Sequence, residues 1–149
     1  MIKKTLILLV MFAGIAGWES LGYAVALSSP VIAIVAGELF TGEAKGHLDG
    51  SGTISIQSRT KPDDTCHGEF TSSEKLGGKG NIRCGENVTT KIKFKRLGSM
   101  RGYGSGTSSR GPMSFTYGLS AIESKPYLKL PRGKILVLDG ESLELKDEK

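Results

Sequence analysis

A chain of 149 residues, 38% hydrophobic and 23% charged, has the size and composition of one small globular domain. Its 21 glycines are about twice the usual share, but they follow no every-third period and come with only five prolines, which excludes a collagen-like rod and a Pro/Gly linker. The net charge of +5 is compatible with nucleic acid, an anionic surface or plain solubility, and the compartment decides among them.

The N-terminus speaks to the compartment. Met1-Ile2-Lys3-Lys4 is basic, and residues 5–17 form an apolar run of 13 residues, short of the roughly 20 that span a bilayer. Ala24-Val25-Ala26 then supplies small residues where a signal peptidase reads, so residues 1–26 are expected to be a signal-peptide helix cleaved after Ala26. The mature chain is expected to be periplasmic or secreted. The alternative is an uncleaved anchor, with the second apolar patch at residues 31–36 resting on the membrane. The β-branched residues of that patch and the following Gly37 favour the first strand of a sheet instead. Export takes nucleic acid off the list of partners and leaves the basic charge facing anionic surfaces outside the cytoplasm.

Residues 40–118 carry three copies of a small pattern, pivoting on Gly50-Ser51-Gly52, Gly78-Lys79-Gly80 and Gly104-Ser105-Gly106. A near-constant period of this length marks stacked copies of one supersecondary unit, here a β-hairpin. Strict alternation at residues 53–58 puts Ile54 and Ile56 on one face, and at residues 90–96 it puts Ile92 and Phe94 inward with Lys91, Lys93 and Lys95 outward. The expected fold is therefore all-β: a curved antiparallel sheet of Gly-rich hairpins over residues 27–138. Residues 127–138 read as one or two short strands around a Pro-Arg-Gly turn, and residues 139–149 as a charged, frayed tail.

If residues 66–70 pair with 80–84, Cys66 lies opposite Cys84. Two cysteines in an exported chain then favour a disulfide over free thiols.

His67-Gly68-Glu69-Phe70 followed by Gly78-Lys79-Gly80 resembles the membrane occupation and recognition nexus (MORN) repeat, a stacked Gly-rich hairpin. Phe40-Thr41-Gly42-Glu43 with Gly50-Ser51-Gly52-Thr53, and Gly102-Tyr103-Gly104-Ser105-Gly106-Thr107, look similar; together they cover about half the chain. The resemblance implies a non-catalytic scaffold or interaction role and transfers no site residues.

Candidate chemistry is sparse. His47 and His67 with the two cysteines suggest a Cys2His2 zinc site, but adjacent Cys66 and His67 point to opposite faces of a strand. The same geometry argues against a Cys66–His67 thiol nucleophile. The Gly102–Gly106 glycines have no apolar strand leading into them and no Gly-Lys-Ser/Thr or helix start after them, so turn and strand glycines explain them better than a phosphate cradle. Asp63-Asp64 fits no calcium loop, and Asn87-Val88-Thr89 is a glycosylation sequon only in a eukaryotic host. No cofactor, metal or catalytic residue is expected.

The most pointed feature is the basic stripe of Lys91, Lys93 and Lys95, extended by Arg96 and by Arg83, Arg101 and Arg110 as further members. Lysines alternating on one strand face repel unless an anion lies near. The functional reading is an anionic lipid headgroup, an anionic glycan or an acidic envelope protein; the bland one is a solvated face that blocks edge aggregation. The expected function is a non-enzymatic envelope binding or scaffolding module. The alternatives are a membrane-associated protein using the same stripe and a small hydrolase or metal-binding protein that needs His47 or His67.

Overall fold

The structure, a computed structural model, describes residues 27–73, 75, 77–85 and 88–149; the expected signal peptide and Asn87 lie outside the described residues. Eight antiparallel strands run in chain order: β1 (Leu27–Val35), β2 (Glu38–Gly46), β3 (Ser51–Ser58), β4 (Thr65–Ser73), β5 (Gly77–Cys84), β6 (Val88–Gly98), β7 (Arg101–Ser108) and β8 (Gly111–Tyr117). Each pairs with its neighbour in sequence, and β8 returns to pair with β1 over Val31↔Tyr117 to Val35↔Met113. The all-β expectation holds, and the sheet goes one step beyond curvature. It closes into a barrel.

Closure explains the glycines. An eight-stranded barrel is only just wide enough for its own inward side chains, so large residues need small ones opposite. Phe70 on β4 lies directly across from Gly52 on β3 and Gly80 on β5. Phe94 on β6 lies across from Gly78 and Gly104, and Ile92 across from Gly80 and Gly106. A Cβ on Gly52 would sit 2.2 Å from the Phe70 ring, and one on Gly104 would sit 2.5 Å from the Phe115 ring. The period of 26–28 residues seen in the sequence is thus one hairpin, with the glycine strand and the aromatic strand alternating around the wall.

β1 is apolar without alternation because both its faces are covered. Val31, Ala33 and Val35 join the barrel interior, while Ile32 and Ile34 pack outward against Leu39, Leu128, Leu136 and Leu143. That outer cover comes from the last part of the chain. After β8, a one-turn helix α1 (Ala121–Ser124) starts at Ser120, whose side chain accepts from the Glu123 amide while the Glu123 carboxylate accepts from the Ser120 amide. A 3-10 turn (Lys125–Tyr127) follows, and then a hairpin of β9 (Lys134–Asp139) and β10 (Ser142–Asp147).

Residues 139–149 therefore differ from the frayed tail expected of them. Leu143 and Leu145 alternate with charged residues, and Leu143 is buried against β1 and β2 neighbours, which supplies the driving force that charge counting hides. Residues 127–133 likewise form a 3-10 end and an irregular crossing rather than a strand. Residues 31–36, the patch weighed as a membrane-resting segment, belong to the strand at the centre of both hydrophobic clusters and to its turn.

The two ends of the barrel differ. At the end that carries the β1–β2, β3–β4, β5–β6 and β7–β8 connections, Phe40, Ile56, Met113 and the cysteine pair fill the interior. At the opposite end the described residues leave the interior partly unfilled.

Candidate functional site

Cys66 and Cys84 face each other across β4 and β5 and are joined by a disulfide, with Cα atoms 4.2 Å apart. Both are buried inside the barrel, whereas His67 is exposed on the outer wall, where its Nδ1 lies 3.1 Å from the Ser55 hydroxyl. The strand alternation that separated Cys66 from His67 in the sequence separates them in space. The bridge is compatible with an oxidising, exported location.

The lysine stripe lies where alternation put it. Lys91, Lys93 and Lys95 are exposed on the outer face of β6, spaced about 7 Å along the strand. The register adds a residue that the sequence did not connect to them. Lys79 on β5 lies directly opposite Lys93, at the separation where two side chains meet, and Lys79 is also exposed. Asn81 and Thr107 flank Lys91, Ser105 lies across Lys93 on the β7 side, and Tyr103 lies across Lys95.

Arg96 does not extend the stripe. As the next residue after Lys95 it turns to the inner face of β6, opposite Gly102, and lines the unfilled end of the barrel. Arg101 pairs with Glu123, and Arg110 pairs with Asp64, so both are neutralised elsewhere. Arg83 is exposed on the β5 outer face, across from His67 and Thr89, nearer the closed end.

The stripe is the floor of a groove. The segment after α1 crosses β8, where the Ser114 hydroxyl accepts from the Lys129 amide at 2.9 Å. This crossing stands Tyr127 and Lys129 beside the β5–β7 face, and the Tyr127 ring stacks on Tyr103 with centroids 4.3 Å apart and planes 23° apart. The resulting groove, about 770 Å³, is lined by Lys79, Lys93, Lys95 and Lys129 with the two tyrosines and the hydroxyls of Thr71 and Ser105. Among the described residues, no carboxylate comes within ion-pair distance of any of these four lysines. The groove thus brings together four ammonium groups, several hydroxyl donors and a rigid aromatic edge, groups whose chemistry suits hydrogen bonds to an anion.

Comparison with known protein families, with curated proteins and with solved structures finds no match. What the site does must come from its geometry.

The outer wall of β3 to β7 carries Thr53, Ser55, Gln57, His67, Glu69, Lys79, Asn81 and the lysine stripe, while the cluster buried inside is mostly apolar. A lipid-embedded barrel has the reverse arrangement, with an apolar band outside. These five strands therefore present a water-facing surface. Among the described residues, no helix is long and apolar enough to cross a membrane.

Proposed function

We propose that this chain is an exported, non-enzymatic binding module of the cell envelope, which holds an anionic partner in the groove between the β5–β7 lysines and Tyr127–Lys129. The observation that carries it is the Lys79–Lys93 pair. Two like charges set directly opposite on adjacent strands cost stability unless an anion sits between them. A solvated face tolerates lysines in a row, but it gives no reason to stack two of them across a ladder and wall them with aromatic rings.

The groove is concave and bounded on one side, which favours an extended acidic chain such as an anionic glycan over a flat lipid surface. The Gly-rich hairpins that resemble the MORN repeat imply the same non-catalytic, interaction-based role. Export agrees with a disulfide that needs an oxidising compartment.

The test is to replace Lys79, Lys93 and Lys95 with Gln and compare retention on an immobilised polyuronate with binding to phosphatidylglycerol vesicles, across a salt series. Loss of salt-dependent polyuronate retention, with an unchanged circular dichroism spectrum, is the expected result. Unchanged retention would remove the groove from consideration. Vesicle binding lost in its place would assign the same lysines to lipid headgroups. An intact mass from the native host, short by two hydrogens and starting at Leu27, checks export and the bridge together; a full-length mass with free thiols would overturn both.

A further inference from the structure

The open end of the barrel holds a second cavity, separate from the outer groove. It measures about 580 Å³, within the range of small-molecule pockets, and lies inside the barrel between the connections at residues 47–50 and 99–100. Its wall is apolar: Ala44, Ile54, Phe70, Phe94, Phe115 and Tyr117 are inward residues of five different strands. Phe70, Phe94 and Tyr117 form a continuous edge-to-face series, with successive centroids 5.7 Å apart. Such a series fixes the wall rigidly, because each ring is held by the next.

The mouth is not apolar. Arg96 and Tyr117 approach Gly102 from its two flanking strands, and a Cβ at Gly102 would sit 2.4 Å from the Tyr117 hydroxyl. A glycine there is what lets the phenol reach the rim. Burial pushes the Tyr117 phenol above its ordinary range, and the Arg96 charge partly opposes that. Among the described residues that line the mouth, the other titratable groups are His47 and Asp49. The Asp49 carboxylate accepts from the Ser51 amide at 2.9 Å and from its hydroxyl at 2.6 Å, so it is occupied within its own turn. Among the described residues, Arg96 has no ion-pair partner. Leu48, 90% exposed, and Leu27 stand around the same opening.

A half-filled apolar tube with a guanidinium at its rim matches a guest with an apolar tail and an anionic head. We infer that the barrel binds a single-chain amphiphile with an acidic head, such as a fatty acid, with its alkyl tail between Phe70, Phe94 and Phe115 and its carboxylate at Arg96 and Tyr117. The filled end sets the depth: Phe40, Ile56 and the Cys66–Cys84 bridge stop the tail partway along the barrel. The exposed Leu27 and Leu48 side chains cover the apolar part of the guest nearest the water.

The experiment uses the purified protein and dansyl-undecanoic acid as a fluorescent probe, displaced by laurate or by dodecanol. Wild type is expected to bind the probe saturably, one per barrel, with laurate the stronger competitor. Arg96→Gln should weaken laurate by about tenfold or more, the usual scale of a charge-assisted hydrogen bond, and leave dodecanol unchanged. Ala44→Phe, which fills the cavity from β2, should abolish displacement by both; Ala44→Val is the milder variant if that chain does not fold, and should weaken both. Absence of saturable probe binding, equal laurate affinity in Arg96→Gln, or undiminished binding in a folded Ala44→Phe would each overturn the inference. The variant with Lys79, Lys93 and Lys95 changed to Gln should bind laurate like wild type, so the outer groove and the inner cavity stand or fall separately.

Discussion

Arg110 donates to both carboxylate oxygens of Asp64, at 3.1 and 2.8 Å, and so ties the β7–β8 turn to the β3–β4 loop four strands away around the barrel. The Asp64 amide donates to the Lys61 carbonyl and its carbonyl accepts from the Ser58 amide, which holds the loop in place to be gripped. The Arg110 guanidinium holds the Asp64 carboxyl below its ordinary range. A carboxyl with a lowered folded-state value stabilises the fold above its unfolded value and loses that contribution as pH falls through the folded one. The pair is therefore expected to add about 1 kcal/mol at neutral pH, fading below roughly pH 4. Urea midpoints of wild type and Arg110→Ala should differ at pH 7 and by less at pH 3. An equal gap at both would show that the arginine acts by packing and not by charge.

The Cys66–Cys84 bridge closes a loop of 18 residues inside the barrel. Chain entropy assigns such a link about 3 kcal/mol, a large part of the stability of a domain this size. Replacing both cysteines with Ala should lower the urea midpoint accordingly, and adding reductant to wild type should reproduce most of that loss. The double variant should not respond to reductant at all. A response there would place the effect somewhere other than the bridge.

Glycine in this chain is a packing residue more than a turn residue. Gly104→Ala would place a Cβ 2.4 Å from the Lys93 carbonyl oxygen and 2.5 Å from the Phe115 ring, neither of which has room to retreat. Overpacking of this kind costs about 1–3 kcal/mol. Gly98→Ala, at the bulge between β6 and β7, meets only the Arg101 side chain at 4.0 Å and is expected to stay within about 0.5 kcal/mol of wild type. Near-ultraviolet circular dichroism should change for Gly104→Ala and hold for Gly98→Ala. Similar losses for both would mean that the glycines serve backbone conformation and not the aromatic wall.

The same glycines show what could be read from the chain and what could not. Alternation at residues 53–58 and 90–96 gave the strands and their faces, and the spacing of Cys66 and Cys84 gave the register of β4 on β5. Closure was hidden because it depends on β8 meeting β1, a pairing between residues about 80 apart that leaves no local trace. The Lys79–Lys93 juxtaposition needed the register of β5 on β6, which passes through a turn with no marker as firm as a cysteine pair. Arg96 was misassigned to the stripe for a simpler reason. It neighbours Lys95 in sequence, and neighbours on a strand face opposite ways. β9 was read as a short strand, but its partner β10 was masked by its charge, because only one face of it is buried.

The sharpest consequence of the lysine face is that stability and binding should move in opposite directions there. Lys93→Glu would turn the like-charged cross-strand pair with Lys79 into an ion pair on an exposed ladder, and such pairs contribute roughly 0.2–1 kcal/mol. The free protein should therefore become slightly more stable, with the gain shrinking as salt rises, because exposed charges are screened. The same change places a carboxylate on the floor of the groove between Lys79 and Ser105, where an anionic chain would lie. Polyuronate retention should drop more steeply than in Lys93→Gln, since repulsion is added to the loss of a donor. A stabilised protein that binds worse is what a surface kept for an anion predicts. If Lys93→Glu is stabilised and retains its partner, the lysines there serve only solubility.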